Sequence, residues 1–253
     1  VIAIAAIVFD AQLVDIAIIQ VVMASSFYLI NAVYTIWKGW MRPYLGGMVW
    51  SLSLKNRVAL VQTFKIAVPQ MIGSLLSYGE WEVLTLFAAY LGPAEVTTWA
   101  ILGSVWDTFE ASTEGIGDAA EVRCAYHLGK GNPHMARISS YKSIFMGMVF
   151  AVFITSIFFM MGDDLPTWFT TDPTLQHMLA ELIPLVGIGN ITMTMGMVCW
   201  ALVGAQGRYR LATFVIFLSS WLVTMPLGAL FIFGLNIDLQ GLTASVVAGY
   251  AVA

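Results

Sequence analysis

The chain has 253 residues, of which 59% are hydrophobic and 10% are charged, with a formal net charge of −4 and a mean hydropathy of +0.83. Because soluble domains carry about 25% charged residues, this composition excludes a soluble globular fold and indicates a polytopic membrane protein. The sequence has no basic tract and no alternation of basic and aromatic residues, so a nucleic-acid partner is not expected.

Seven apolar segments account for most of the chain, and a helix needs about 20 such residues to cross a bilayer. In chain order they span residues 13–38, 65–91, 96–122, 143–162, 174–204, 211–234 and 239 onward. The expected fold class is therefore all-α, a polytopic bundle of transmembrane helices. Because the sequence begins and ends inside apolar runs, we expect a fragment whose last helix is truncated.

Basic residues occur in only three of the gaps between these segments, and the remaining gaps carry acidic residues alone. By the positive-inside rule the three basic gaps are predicted to be cytoplasmic, and the others face the outside or an organelle lumen. The expected location is the plasma membrane, or a vacuolar or other organelle membrane. The eleven basic residues are Lys38, Arg42, Lys55, Arg57, Lys65, Arg123, Lys130, Arg137, Lys142, Arg208 and Arg210.

The longest connection, residues 39–61, mixes tryptophans with basic residues, which is typical of a segment at the cytoplasmic membrane surface. Residues 13–28 and 239–250 share a pattern at an offset of about 226 residues, the length of a repeated six-helix unit. We therefore expect residues 1–38 to end an N-terminal lobe, residues 39–61 to link two lobes, and residues 62–253 to form the C-terminal lobe.

One predicted helix carries a row of five acids with spacings of 3, 4, 4 and 3 residues: Asp107, Glu110, Glu114, Asp118 and Glu121. At 100° per residue they fall within an arc of about 80°. An ionisable group at mid-bilayer costs about 2.5–3.5 kcal/mol or more, and burial and like charge both favour protonated carboxyls that titrate as a coupled set. The row predicts a proton relay or a cation site. For Asp118 and Glu121, a position in the cytoplasmic interface opposite basic residues is the open alternative.

Two further acids, Glu80 and Glu82, lie on different faces of the preceding helix, separated by Trp81. Trp81 and Trp106 at membrane depth are candidate aromatic walls for an organic cation, since such a contact contributes about 0.5–2 kcal/mol. The alternative is that both rings pack in the core. The sequence has no motif for hydrolysis, nucleotide binding or metal binding, so we expect neither an enzyme nor a cofactor or metal site.

Two stretches resemble a known family. The segment RCAYHLGKGNPHMAR at 123–137 resembles the signature after the eighth helix of the multidrug and toxic compound extrusion (MATE) family, and FKIAVPQMIGSLLSYGEWEVLTLFAAYLG at 64–92 is similar to its seventh helix. The resemblance implies two six-helix lobes facing across a central cleft, of which this chain would hold helix six to a truncated helix twelve. It also implies export of organic cations in exchange for H⁺ or Na⁺.

The resemblance further implies site residues. Plant and animal members carry a Glu-Trp-Trp-x-x-Glu motif in the seventh helix, whose second Glu matches Glu82 and whose first matches Ser77, with Glu80 as the expected replacement one turn along. The acid that those members place late in the tenth helix falls near Gly196, and the closest polar residue is Asn190. Coupling is therefore expected to have moved toward the acids of the eighth helix, which leaves the choice between H⁺ and Na⁺ open.

The expected function is a secondary antiporter that exports a cationic small molecule across the bilayer in exchange for H⁺ or Na⁺. A lipid-linked saccharide flippase of the same superfamily is one alternative, but it would need a basic cavity. A non-transporting scaffold or receptor is another, although it would gain nothing from costly acids. The candidate coupling and binding residues are Glu82, Glu110, Glu114, Glu80, Asp107 and Asp118, with Trp81 and Trp106 as cavity aromatics.

Overall fold

The computed structural model describes residues 13–44, 46 and 56–253, and the chain divides into two compact units, Val1–Val61 and Gln62–Ala253. Among the described residues of the first unit, the longest helix is α1 (Leu13–Trp37), whose apolar side chains are exposed, as expected of a helix surrounded by lipid. Lys38 follows it and lies over the rings of Tyr34 and Trp37. The predicted linker is described only in part, because residues 45 and 47–55 lie outside the described residues.

The second unit contains the helices α3 to α8 and all of α2 after Val61, and the described residues include no strand. The expected all-α bundle is confirmed. Their bounds are α2 Arg57–Leu91, α3 Pro93–Gly129, α4 Pro133–Met161, α5 Leu165–Phe169, α6 Pro173–Ala205, α7 Tyr209–Gly234 and α8 Leu239–Val252. Of the described helices, α1, α2, α4, α6 and α7 are long and apolar enough to cross a membrane. The acids of α3 lower its hydropathy, although it has 37 residues.

Several helices extend beyond the predicted apolar segments. The helix α2 begins at Arg57 instead of 65, and α3 ends at Gly129 instead of 122. The length of an apolar segment reports only the part of a helix that lies in the hydrocarbon core of the bilayer. The backbone hydrogen bonds of the helix continue into the polar headgroup region. The α3–α4 turn is short because Gly131 adopts a left-handed φ of 70° and the side chain of Asn132 accepts a hydrogen bond from the Met135 amide at 3.2 Å.

The main core of the second unit is built on one face of α3. Trp99, Leu102, Trp106 and Phe109 recur at helical spacing and are buried against side chains of α2, α4, α6 and α8. Phe109 meets Phe158 of α4 edge to face, with ring centroids 5.1 Å apart. This packing fixes the rotation of α3 and therefore the direction in which its acids point.

A polar seam joins α4 to α6, formed by Thr155, Asn190 and Thr194, all of which are buried. The Asn190 amide nitrogen donates to Thr155 Oγ1 at 2.9 Å and to the Ala151 carbonyl at 3.3 Å. Thr155 in turn donates to the Gly187 carbonyl at 3.2 Å. Hydrogen bonds between membrane helices of this kind stabilise their association by about 0.6–2 kcal/mol each.

The helix α7 departs from α-helical geometry in two places. Its residues Phe217–Thr224 and Leu230–Gly234 form π-helical turns around an α-helical segment, Met225–Ala229. Two hydrogen bonds attach α7 to α2, from Thr213 Oγ1 to the Pro69 carbonyl at 2.7 Å and from Trp221 Nε1 to the Leu76 carbonyl at 3.2 Å. Because π-turns are rare and occur often at functional sites, the hydroxyl side chains within them are candidates for a functional role.

Candidate functional site

The five predicted acids of α3 form an acidic edge beside the buried face of that helix. Each acid follows directly after a buried residue, as Asp107 follows Trp106 and Glu110 follows Phe109. One residue corresponds to 100° of rotation, so the acids lie beside the core and not opposite it. Asp107, Glu110, Glu114 and Asp118 are exposed, and Glu121 is partly buried. The edge extends over about 21 Å of helix axis.

Tyr250 of α8 lies at one end of the acidic edge. It is partly buried against the main core and interacts electrostatically with the carboxylates of Glu80, Glu110 and Asp107. Glu110 in turn interacts with its neighbours Asp107 and Glu114. Acids from the consecutive helices α2 and α3 therefore interact with one phenol of α8, which is distant from both in sequence.

Glu80 differs from the other acids of this group, because it is partly buried. It lies near the hydroxyls of Ser220 and Thr224, which belong to the first π-turn of α7. Glu82 follows two residues later, about 200° around the helix, and is exposed. The structure thus brings Glu80, and not Glu82, together with Asp107 and Glu110.

The two candidate tryptophans differ in environment. Trp81 stacks on Trp99 with centroids 4.7 Å apart, and it meets Trp106 edge to face at 6.2 Å. Gly103 permits this packing, because a Cβ there would lie 3.1 Å from Trp81 Cζ2. Trp106 is 4% exposed and belongs to the core, whereas Trp81 keeps some accessible surface. Of the predicted pair, only Trp81 keeps surface that a ligand can reach without repacking of the core.

Sequence reasoning missed three residues of this site: Ser220, Thr224 and Tyr250. The available signal was a cluster of hydroxyl side chains inside an otherwise apolar segment, which needs partners in a membrane. Glu181 and Asn190 lie elsewhere. Glu181 accepts a hydrogen bond from Gln240 at 3.1 Å and lies 3.5 Å from His177, and Asn190 belongs to the polar seam.

Carboxylates, hydroxyls and a phenol can exchange protons or bind a monovalent or organic cation. Among the described residues, no group of three or more His, Cys, Asp and Glu side chains is arranged to hold a metal ion. No Lys or Arg occurs in the sequence between Lys65 and Arg123, so these acids have no basic neighbour on α2 or α3 at this depth.

The MatE family model matches residues 69–230, which is more than half of the chain. The chain belongs to the MatE family. An uncharacterized transporter of Schizosaccharomyces pombe, C4B3.13, is 29% identical over 178 residues, covering 70% of this chain and 33% of the relative. Human multidrug and toxin extrusion protein 1 is 22% identical, and the match covers 72% of this chain and 32% of the human protein. Arabidopsis thaliana Protein DETOXIFICATION 9 is 27% identical, and the match covers 74% of this chain and 39% of that relative.

Solved structures agree on the fold. The crystal structure of the eukaryotic MATE transporter AtDTX14 matches with a TM-score of 0.82 at 20% identity, covering 99% of this chain and 56% of that one. The Vibrio cholerae MATE transporter VcmN in the bent form matches with a TM-score of 0.75 at 16% identity, covering 98% and 55%. The chain spans about a third of the length of its curated relatives. The resemblance and the multi-pass membrane location are confirmed, and the family consists of transporters and not enzymes.

Proposed function

We propose that this MATE-family chain carries the cation-binding acids of a secondary antiporter, which exports an organic cation in exchange for protons. The observation that supports this proposal is that Glu80, Asp107 and Glu110 all interact electrostatically with Tyr250. The sequence has no Lys or Arg from 66 to 122, so acids at this depth of α2 and α3 favour cations and bind them in competition with protons. The names of relatives such as multidrug and toxin extrusion protein 1 agree with this substrate class.

In the proposed cycle, protons from the outside neutralise Glu80, Asp107 and Glu110 and release the organic cation. Loss of these protons toward the cytoplasm restores the negative charge and the affinity for the next cation. Glu114 and Asp118 continue the acidic edge toward the predicted cytoplasmic end, so they are proposed to relay protons along α3. Glu82 is exposed and is proposed to contribute to the entry of the cation. The partly exposed face of Trp81 is proposed as its aromatic contact.

The charge of the site argues against the flippase alternative, because a phosphorylated lipid carrier needs Lys or Arg and the sequence has none from 66 to 122. A scaffold or receptor gains nothing from several acids that are costly to place at membrane depth. Sodium is a second candidate for the coupling ion, and it can be distinguished from protons directly by the imposed gradient.

The test uses the full-length protein in proteoliposomes and ethidium as the probe cation. A pH gradient and a Na⁺ gradient are imposed in separate experiments. The proposal expects transport driven by the pH gradient, and it expects this transport to be abolished in Glu80→Gln and Glu110→Gln with folded protein retained. Each substitution preserves the shape of the side chain and removes its exchangeable proton.

Asp164→Asn is the matched control, since Asp164 is an exposed acid between α4 and α5 and far in sequence from the site. It should transport at the wild-type rate. If Glu80→Gln and Glu110→Gln both keep wild-type transport, the acids do not couple transport. If only the Na⁺ gradient drives transport, proton coupling is wrong.

A further inference from the structure

Three side chains near the predicted cytoplasmic end of α3 share one side of that helix, which we call the basic flank: Arg123, His127 and Lys130. Successive spacings of four and three residues keep them within an arc of about 60°. The buried residue Cys124 lies about 60–120° away from all three, and its sulfur accepts a hydrogen bond from Ser140 Oγ of α4 at 3.6 Å. The basic flank is therefore beside the core, and Arg123 and Lys130 are exposed.

The acids at this end of α3 lie on the other side of the same core face. Glu121 and Asp118 lie about 60° and 120° from Cys124 in the opposite direction of rotation. Glu121 is partly buried and lies beside the turn between α6 and α7, because a Cβ at Gly204 would lie 3.6 Å from Glu121 Oε1 and 3.2 Å from Tyr209 Cε1. The basic flank is therefore separated from the acidic edge by the buried face of the helix.

No carboxylate neutralises the basic flank within the part of the chain that the structure describes. Among those residues, neither Arg123 nor Lys130 forms an ion pair. The Lys130 Nζ atom lies 4.4 Å from the centroid of the Tyr126 ring, and Tyr126 is itself exposed, as is typical of an aromatic residue at a membrane interface. The ring face attracts the ammonium group but leaves its N–H donors available to the oxygens of an anionic partner.

The basic flank lies at the depth of the lipid headgroups. The apolar segment within α3 ends at residue 122, whereas the helix continues to Gly129. Arg123 therefore lies at the end of the hydrocarbon span, and Lys130 lies about 10 Å further along the helix axis. Because the Cα–Cβ bonds of a helix tilt toward its N-terminus, these bonds in Arg123 and Lys130 are directed back toward the bilayer.

We propose that the basic flank of α3 is a docking surface for anionic phospholipids of the cytoplasmic leaflet, whose phosphate groups bind Arg123 and Lys130. Charge complementarity identifies this occupant, because guanidinium and ammonium donors at headgroup depth match phosphate oxygens and the cytoplasmic leaflet is rich in anionic lipid. A lipid bound there attaches the end of α3 to the bilayer on the side remote from the acidic edge. This role does not depend on which ion drives transport.

A fluorophore beside the basic flank tests this proposal in the full-length protein, in a background in which Cys124 and Cys199 are replaced by serine. Bimane is attached to Ala119→Cys, because Ala119 is exposed and lies one turn before Arg123 on the same side of α3, toward the hydrocarbon. Lipids with a doxyl group on the acyl chain quench a nearby fluorophore. Phosphatidylglycerol and phosphatidylcholine with the same doxyl chain are compared in mixed micelles. Phosphatidylglycerol should quench at a roughly 30-fold lower mole fraction, which corresponds to about 1 kcal/mol for each of the two bases.

Arg123→Gln combined with Lys130→Gln should remove the preference for phosphatidylglycerol, and the charge-conserving pair Arg123→Lys with Lys130→Arg should keep it. Arg208→Gln with Arg210→Gln is the matched control and should keep the preference. It removes two exposed bases from the same predicted side of the membrane, at the start of α7, where the Cα–Cβ bonds tilt away from the bilayer.

Lys130→Glu decides the question should the first double variant not fold, because Lys130 is exposed and directly follows α3, and it should also lose the preference. The proposal is overturned if the wild-type protein shows no preference, if the preference persists in Lys130→Glu, or if both Gln double variants lose it equally. Relief of the quenching by inorganic phosphate at constant ionic strength would assign the surface to a free anion, and the phospholipid proposal would then fail.

Discussion

The acidic edge of α3 and the polar seam between α4 and α6 both place polar groups inside a membrane protein, but in opposite environments. In the acidic edge, Asp107 and Glu110 are exposed at the surface of the structure. In the polar seam, Asn190 and Thr194 are 0% exposed. In the seam, Asn190 Oδ1 and Thr194 Oγ1 have no hydrogen-bond partner within the described part of the chain. A polar group at membrane depth is therefore not by itself evidence of a transport site.

The two regions should respond oppositely to a change of charge. The edge consists of ionisable groups that can exchange protons or cations, so removal of one charge should alter transport and not folding. The seam consists of neutral groups that hold two helices together, so addition of a charge should alter folding first. The following substitutions test this contrast, beginning with the largest expected effect.

Asn190→Asp should cause the largest loss of folded protein. An ionised aspartate at this position cannot donate to Thr155 Oγ1 and would direct an oxygen at the Ala151 carbonyl, 3.3 Å from the present amide nitrogen. A charge at the centre of a membrane helix costs about 2.5–3.5 kcal/mol on insertion scales. The measurement is the yield of monodisperse protein in detergent, together with its thermal midpoint.

Asp107→Asn, the reverse exchange on the acidic edge, is the control and should leave yield and thermal midpoint unchanged. If Asn190→Asp folds as well as the wild-type protein, then water or a counter-ion reaches the seam, and the contrast between the two regions is wrong.

The helices and the acidic edge could be predicted well from the sequence, because both depend on local periodicity. Apolar length located the spanning helices, and the spacing of Asp107, Glu110 and Glu114 was enough to place them on one edge. The sequence favoured Glu82 over Glu80, whereas the structure leaves Glu82 exposed and Glu80 partly buried. The rotation of α2 could not be predicted, because it is set by tertiary contacts such as the bond from Trp221 to the Leu76 carbonyl. The division into lobes at residues 1–38, 39–61 and 62–253 stays a prediction.

The π-turns and Tyr250 could not be predicted from local patterns. An i→i+5 turn leaves no periodic signature in an apolar segment. The cluster of hydroxyls indicated a need for polar partners, but it did not indicate that Ser220 and Thr224 would lie near Glu80. Tyr250 is 140 residues after Glu110 in the sequence, and only the packing of α8 against the core brings the two together. This part of the site therefore depends on tertiary packing and could not be predicted from the sequence.

Gly189→Ala should cause an intermediate loss of stability, because Gly189 lies directly beside the seam residue Asn190. A Cβ there would lie 3.0 Å from Val247 Cγ2 and 3.2 Å from Trp106 Cζ2, and Trp106 is held in the core. Overpacking of this kind costs about 1–3 kcal/mol, partly offset by about 0.5–1 kcal/mol from the better helix propensity of alanine. We expect a lower thermal midpoint in detergent. A midpoint at or above that of the wild-type protein would mean that α6 and α8 can separate at this point.

Gly115→Ala should have the smallest effect, and of opposite sign. Gly115 follows Glu114 on the exposed side of α3, and no atom lies within 4 Å of a Cβ built there. Since the added methyl group meets no neighbour, only helix propensity changes, and the protein should gain about 0.5–1 kcal/mol. The full-length variant should melt at a slightly higher temperature than the wild-type protein and should keep pH-driven ethidium transport. A loss of stability would show that the acidic edge is packed against another part of the transporter at Glu114, and the edge would then resemble the seam. A loss of transport without a loss of stability would place the moving substrate at this point of α3.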